Sequence, residues 1–487
     1  MKMLTPRRVC TASITTLGCK LNQAESYRLQ VELATAGVDL LPFGEPVDLS
    51  IVNTCTVTHT ADQQARQLLR RARRASPDGC VVAMGCYAQI APDEVRAVEG
   101  VDLVVTVDKE RLIPQLEAFG FELGDSPEVA DDGPAGPDHR VPLPASRVRQ
   151  FVKVQDGCDD YCTYCIVPFA RGHSLSRPSD DIVHEVRSLI ERGCREIVLT
   201  GVQIGAYGRD RYALRGHELP PPGAPLAALV RRLLAETSVG RVRISSIQPQ
   251  DWPEDFLDLF DDPRLCPHLH LPLQSGCDAT LRRMARRYTT ADFAALVGRV
   301  RDAIPDVAVT ADMIVGFPGE TDADHAESVA FAQAMAFADV HVFRYSPRRG
   351  TAAVRMAQQV SPDAKKRRSE ELRAAVDEMA ASYRRRFLGS TRPVLWEQGL
   401  PQPWTENEPL ERDEASSSSR QAQRTGTPSP QPSPGGRGSL AWTGVTDNYL
   451  RVETESQDEL LGVTSHVLLA RLDGDRFHAV VAAETRA

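Results

Sequence analysis

No stretch of the chain reaches the roughly 18 consecutive apolar residues that a membrane-spanning helix needs. The first residues, MKMLTPRRVC, lack the apolar core of a secretory signal. Net positive charge is missing too: the formal charge of -9 excludes a uniformly basic nucleic-acid binder, although it leaves room for a local basic patch. There is also no evenly spread cysteine framework. The 11 cysteines are odd in number and gathered in local motifs, which suits metal ligation in a reducing compartment better than disulfides. These absences predict a cytoplasmic protein with no membrane partner. The hydrophobic fraction of 42% and charged fraction of 25% are those of a globular chain. A length of 487 residues exceeds one ordinary core, so about two to four domains are expected.

What is present begins with VQDGCDDYCTYCIVPFARG, where Cys158, Cys162 and Cys165 fall within one short loop. Three thiolates so close suit a cubane 4Fe-4S cluster and leave one iron without a cysteine. A structural zinc site would need a fourth ligand, for which only His173, eight residues beyond Cys165, is near. A redox disulfide suits the spacing less well. With Tyr164 just before the last cysteine, the C-x3-C-x2-C array resembles the radical S-adenosylmethionine (SAM) enzymes. That resemblance implies that the open iron is chelated by SAM and that an electron from the cluster splits the sulfonium to a 5'-deoxyadenosyl radical. The protein's share is then to bind, to orient and to exclude water.

Upstream, CTASITTLG, VDLSIVNT and CVVAMG read as strands separated by helix-length segments, which predicts an α/β domain with a parallel sheet. Each run ends at a cysteine, Cys19, Cys55 and Cys86, and the carboxyl ends of parallel strands share one edge. Singly, each cysteine reads as a buried small residue. Three in equivalent places predict a second cluster with three cysteine ligands. Cys10 and Cys80 lack the strand-end position and are expected in the core. Gly18 and Gly85 are expected to relieve crowding at tight turns. TLGCKLNQAES, IVNTCTVTHTAD and MGCYAQ resemble the amino-terminal domain of the methylthiotransferases, a radical SAM subgroup, and lie closest to the branch acting on threonylcarbamoyladenosine in tRNA. The resemblance implies that Cys19, Cys55 and Cys86 carry an auxiliary 4Fe-4S cluster holding the sulfur to be delivered. Asn22 and Asn53 match the family motifs and suit loop-holding equally well.

Residues 123–146 are dense in Pro, Gly and Asp and read as a linker. Beyond it FVKVQDG, REIVLTG, GRVRISSIQP, HLHLPLQSG, VAVTADMIVGFPGE and DVHVFRYSP predict six strands of a full or partial (β/α) barrel, with its chemistry at their carboxyl ends. The resemblance implies that SAM is cradled there, which nominates Tyr164, Thr200, Gly201, Gln274, Gly316 and Phe317. For Thr200, Gly201 and Gly316 a structural turn is an equal alternative. Cys194 and Cys266 are expected to pack, and Cys277, where the family suggests serine, is not expected to be a ligand. Arg344 and Arg349 stand where the family commonly has prolines and suit either phosphate contact or plain exposure.

Basic runs at residues 66–74, 281–288, 365–368 and 384–386 favour a polyanionic partner, each alone being an ordinary solvated face. After Leu388 short alternating strands predict a small β-barrel, and WTGVTDNYLRVE resembles the RNA-binding (TRAM-like) barrel of tRNA-modifying enzymes. Residues 402–438, rich in Ser, Pro and Gly, read as a disordered insertion between its first two strands. The expected division is 1–122, linker 123–146, 147–386 and 387–487. The reading is a tRNA methylthiotransferase that uses SAM and two 4Fe-4S clusters to replace the C2 hydrogen of threonylcarbamoyladenosine beside the anticodon. Its partners would be a tRNA anticodon stem-loop, an electron donor protein and a sulfur source. Two alternatives stand beside it: a sibling acting on isopentenyladenosine or a ribosomal-protein aspartate, and a non-enzymatic iron-sulfur RNA-binding redox sensor.

Overall fold

The computed structural model describes residues 7–106, 112–123, 148–214, 216–400 and 440–481. Both the 123–146 linker (but for Leu123) and the 402–438 insertion lie outside them. The chain divides into two compact units, Met1–Arg386 and Phe387–Ala487.

In the first unit, strands β1 (Thr11–Thr16), β2 (Asp39–Leu40), β3 (Leu49–Thr54), β4 (Cys80–Gly85) and β5 (Leu103–Val104) form one sheet in the order β2-β1-β3-β4-β5. All pairs are parallel, as the βα alternation predicts. Every residue of β3 and β4 is buried, because both faces of a parallel sheet are covered. Leu49 and Ile51 pack with Leu29 and Leu33 of helix α1 (Lys20–Thr35), while Val52, Val81 and Ala83 pack with Ala65, Leu69 and Ala72 of α2 (His59–Ala75). Thr58 starts α2 by accepting a hydrogen bond from the Ala61 amide at 3.1 Å. One core expectation is corrected. Cys80 is buried, but Cys10 is exposed, because it is the break between β1 and Arg7–Val9, which pairs separately with Phe121–Leu123.

The six expected barrel strands are β6 (Arg149–Lys153), β7 (Glu196–Thr200), β8 (Arg241–Ile244), β9 (His268–His270), β10 (Ala308–Val315) and β11 (Asp339–Arg344). They form two parallel three-stranded sheets, joined by bridges from Val242 to Leu265 and from Ser246 to His270. Alternation along each strand sorts the side chains. Ile197, Leu199, Val242, Ile244, Leu269, Val309, Ala311, Met313, Val340 and Val342 enter the main core under the outer helices. The opposite, concave face receives Arg149, Lys153, Glu196, Arg243, His268, His270, Thr310, Asp312 and His341. Its floor is charged: Glu196 is fully buried and lies 2.9 Å from Arg243, 3.9 Å from Arg149 and 3.8 Å from Arg241. Burial opposes ionisation there, yet these arginines hold its pKa down to about 2.

The second unit is a closed five-stranded barrel of β12 (Thr391–Leu400), β13 (Leu440–Thr446), β14 (Arg451–Ser456), β15 (Thr464–Asp473) and β16 (Arg476–Val481). Trp396, Trp442, Val467, Leu469 and Phe477 fill it. Closure leaves no free sheet edge.

Candidate functional site

Cys158, Cys162 and Cys165 lie in the loop after β6. The loop closes through a Cys158 amide bond to the Gly172 carbonyl at 3.1 Å and a Cys165 amide bond to the Cys162 carbonyl at 2.9 Å. Burial pushes the Cys158 and Cys165 thiols up to about 12, with the neighbouring thiols adding to the effect. Buried thiols crowded together become thiolates readily only against a strong local cation, so this donor set fits an iron cluster. His173 is no fourth ligand: its ring is 83% exposed and bonded to Asp159 at 2.6 Å, which removes the basis for zinc. All 11 cysteines stand as free thiols in the structure.

The second trio sits at the carboxyl edge of the amino-terminal sheet. Cys55 and Cys86 are buried, and Cys19 caps α1. Cys55 is pushed up to about 12 by burial and further by Cys86 and Cys19, which places the three within electrostatic range of one another. Although Cys19 stands at an exposed turn, burial of its thiol raises its pKa, and Arg171 opposes that rise. Two glycines make the convergence possible. Gly18 has φ +105° and a Cβ there would stand 2.8 Å from Cys55 Cβ; Gly85 has φ +98° and its Cβ would stand 2.3 Å from the Thr54 carbonyl oxygen. Asn22 and Asn53 hold the loops: Asn22 Nδ2 donates to Leu17 and Thr54 carbonyls, and Asn53 Nδ2 donates to the Asn22 carbonyl at 3.0 Å.

Charged side chains join the two trios' surroundings. Arg171, at the end of the short helix α3 (Val167–Arg171), donates to Glu25 at 2.8 Å, to Asp156 at 2.9 Å and to Asn22 Oδ1 at 2.5 Å. Cys19 Sγ lies 3.7 Å from that same Asn22 oxygen. Lys153 adds contacts to Glu25 at 3.6 Å and Asp156 at 3.3 Å. Burial works against the charge on Asp156, but Arg171 and then Lys153 hold its carboxyl below the usual range. On the other side, Arg348 reaches Asp62 at 2.8 Å and the Thr56 hydroxyl at 2.6 Å, next to Cys55.

The nominated SAM residues divide. Thr200, Gly201, Gln274 and Gly316 stand at strand carboxyl ends; Gly201 lies against Gln155, and the Gly316 amide donates to Glu320 at 3.0 Å. Phe317 is fully buried and meets Tyr164 and Tyr345 edge-on, so these rings form a wall behind the cluster loop. Cys194 and Cys266 are buried in packing. Sequence reasoning missed the polar groups that touch the trio. Cys158 Sγ donates to Gln203 Oε1 at 3.3 Å, and Gln203 Nε2 donates to Asp251 and Asp160. Arg286 donates to Cys162 Sγ at 3.3 Å and to Gln248. Arg286 belongs to the run 281–288, so that run is partly drawn inward; so is 365–368, where Arg368 is buried against Glu320 at 2.9 Å. For Arg368 the helical position, one face inward, could have signalled this; Arg286 lies in the loop after the helix Asp278–Arg283, where no pattern marks it.

A model of the radical SAM superfamily matches residues 152–332, which runs from within β6 through the cluster loop and β10 and stops before β11. A model of the uncharacterised protein family UPF0004 matches residues 11–106, the amino-terminal sheet. Threonylcarbamoyladenosine tRNA methylthiotransferase MtaB of Bacillus subtilis is 33% identical over 93% of this chain and 92% of its own length. MtaB of Thermotoga maritima is 36% identical over 80% and 86% respectively. The tRNA-2-methylthio-N(6)-dimethylallyladenosine synthase of Maricaulis maris is 35% identical over 79% and 86%. The chain belongs to the radical SAM methylthiotransferases, on their MtaB branch. It is therefore an enzyme that uses SAM and a 4Fe-4S cluster, which replaces the reading as a non-enzymatic sensor.

Proposed function

We propose that this enzyme places a methylthio group on C2 of the N6-threonylcarbamoyladenosine next to the anticodon in tRNA. The observation that carries the reading is the pair of cysteine trios at strand carboxyl ends of one compact unit, joined by Arg171. Cys158, Cys162 and Cys165 hold the SAM-binding cluster, and Cys19, Cys55 and Cys86 an auxiliary one. When bound, SAM and its cluster supply one-electron chemistry able to take hydrogen from an unactivated aromatic carbon. The chain's own residues prepare the site. Arg286 offsets thiolate charge at Cys162, Gln203 orients Cys158, and the Tyr164–Phe317 wall keeps water from behind the loop. Thr200, Gly201, Gln274 and Gly316 offer backbone and polar edges to SAM. The concave face of the barrel receives the base, turned out of its loop as other base-modifying enzymes require. The closed carboxyl-terminal barrel, TRAM-like in its sequence, and the exposed arginines Arg70, Arg71 and Arg74 of α2 serve the RNA backbone. The domain division expected from sequence, a cytoplasmic location, an electron donor protein and a sulfur source complete the reading. No helix among the described residues is long and apolar enough to cross a membrane.

The test is iron and sulfide content with Mössbauer spectra on anaerobically reconstituted protein, wild type against the Cys19, Cys55, Cys86 triple alanine variant. Two clusters falling to one support the reading; one cluster in both sinks it. The 35% identity to a dimethylallyladenosine-modifying relative favours isopentenyladenosine as the second substrate to try. Nucleoside analysis of tRNA from a deletion strain separates the two.

A further inference from the structure

On the concave face, three neighbouring strands bring His270, Asp312 and His341 together. Asp312 lies directly opposite His341 in the β10–β11 register. One Asp312 oxygen meets His270 Nε2 at 3.1 Å, and the other meets His341 Nδ1 at 3.0 Å. His270 Nδ1 is in turn bonded to the Thr310 hydroxyl at 2.9 Å, and the two imidazoles stack with centroids 5.4 Å apart. His270 is thus enclosed and engaged at both nitrogens. His341 is not: its side chain is 61% exposed, and Nε2 has no protein partner among the described residues.

We propose that His341 Nε2 is the donor that recognises the carboxylate of the amino-acid arm on the substrate's N6, and so sets the enzyme's preference for an acidic arm over an apolar one. This rests on the function proposed above. Asp312 does the preparatory work. Its bond to Nδ1 is the largest influence on the ring and favours the imidazolium, which leaves Nε2–H as a charged donor. Burial and Lys20, at the start of α1 beside Cys19, oppose the imidazolium, but Asp312 outweighs them. Asp339, one step lower on the same face of β11, repels an anion from below and keeps it at the level of His341. In adenine, C2 and C6 flank N1, so the N6 arm leaves the ring in a different direction from the C2–H bond. A base whose C2 faces the cysteine trios therefore carries its arm to one side of them, where the concave face with His341 can meet it. A metal ion in this triad is the competing occupant. It would have to displace two charge-assisted bonds by which Asp312 already satisfies both rings.

The experiment uses the reconstituted full chain and anticodon stem-loop RNAs bearing N6-threonylcarbamoyladenosine, its threoninamide counterpart, or isopentenyladenosine. Wild type should prefer the acid over the amide by about tenfold or more in kcat/KM, the worth of one charge-assisted hydrogen bond. In His341→Phe that ratio should fall to near one, through KM, while iron content stays at the wild-type level. His341→Arg should restore the preference. An unchanged acid-to-amide ratio in His341→Phe overturns the inference alone. A wild type that modifies only the isopentenyl substrate overturns the proposed function and this inference together. A stoichiometric extra metal in wild type that is lost in His341→Phe also overturns it, in favour of a metal site.

Discussion

Replacing Arg171 by Met tests whether the two halves of the catalytic unit are held by charge. The guanidinium is only 2% exposed, and it serves Glu25, which is 6% exposed, and Asp156, which is 26% exposed. Removing one member of a buried ionic group leaves uncompensated charge and costs roughly 3–5 kcal/mol. Lys153 still lies 3.6 Å from Glu25 and 3.3 Å from Asp156, so the expected loss sits at the lower end, about 3 kcal/mol. The loss should depend on pH. Asp156 has a depressed pKa in the folded chain, so its contribution is present above the unfolded carboxylate value and disappears as pH falls through the folded value. In Arg171→Met that pH dependence should shrink. Urea unfolding of the amino-terminal sheet and barrel, followed near pH 7 and again below the ordinary carboxylate value of 3.8, measures both effects. A variant within about 1 kcal/mol of wild type at pH 7, with the same pH slope, would refute the claim that this bridge joins the halves.

Three further outcomes follow from particular contacts. Glu196 has a folded pKa of about 2 against an ordinary 4.5, so it contributes about 3 kcal/mol above pH 5, lost as pH falls towards 2; urea midpoints of cluster-free Glu196→Gln should lie below wild type at pH 7 and converge with it in acid. Gly85→Ala places a Cβ 2.3 Å from the Thr54 carbonyl oxygen at a positive φ, so iron should fall from about eight to about four per chain while SAM-dependent spectral changes persist; full iron loading would contradict the close approach. Arg286→Gln removes the cation bonded to Cys162 Sγ, so the SAM-binding cluster should be harder to reduce by tens of millivolts or more, read by EPR-monitored redox titration, and an unchanged potential would deny Arg286 that role.

The cysteines were legible because their geometry is written locally. One trio shares a loop, and the other stands at the ends of three runs that could only be parallel strands. The carboxyl-terminal barrel was legible for a similar reason, since alternation and turns suffice for it. The polar concave face was harder to read. EIVLT and RVRI are buried throughout, so the alternation that separates Glu196, Arg241 and Arg243 from their apolar neighbours is not a contrast between inside and outside. Arg286 looked like one more solvated arginine in LRRMARRY, because a basic run carries no mark of the residue that turns inward. Nothing in RRVCTAS announces the break in the strand that leaves Cys10 exposed.

The bridges were not legible at all, for a reason that bears on mechanism. Arg171 and Glu25 are 146 residues apart, and Arg348 and Thr56 are 292 apart, so no local pattern links them. Apolar faces would hold the amino-terminal sheet against the barrel in many nearby registers. A guanidinium that must meet a carboxylate and a neighbouring oxygen together accepts few. Both bridges end within a few residues of a cysteine of the amino-terminal trio: Arg171 on Asn22, which also accepts from Cys19, and Arg348 on Thr56, the residue after Cys55. The register they select is therefore the relative position of the two cysteine trios, the quantity on which delivery of sulfur to a single carbon depends. Loosening either bridge should therefore uncouple consumption of SAM from product formation before it unfolds either half, and a variant that loses both in equal proportion would count against this account.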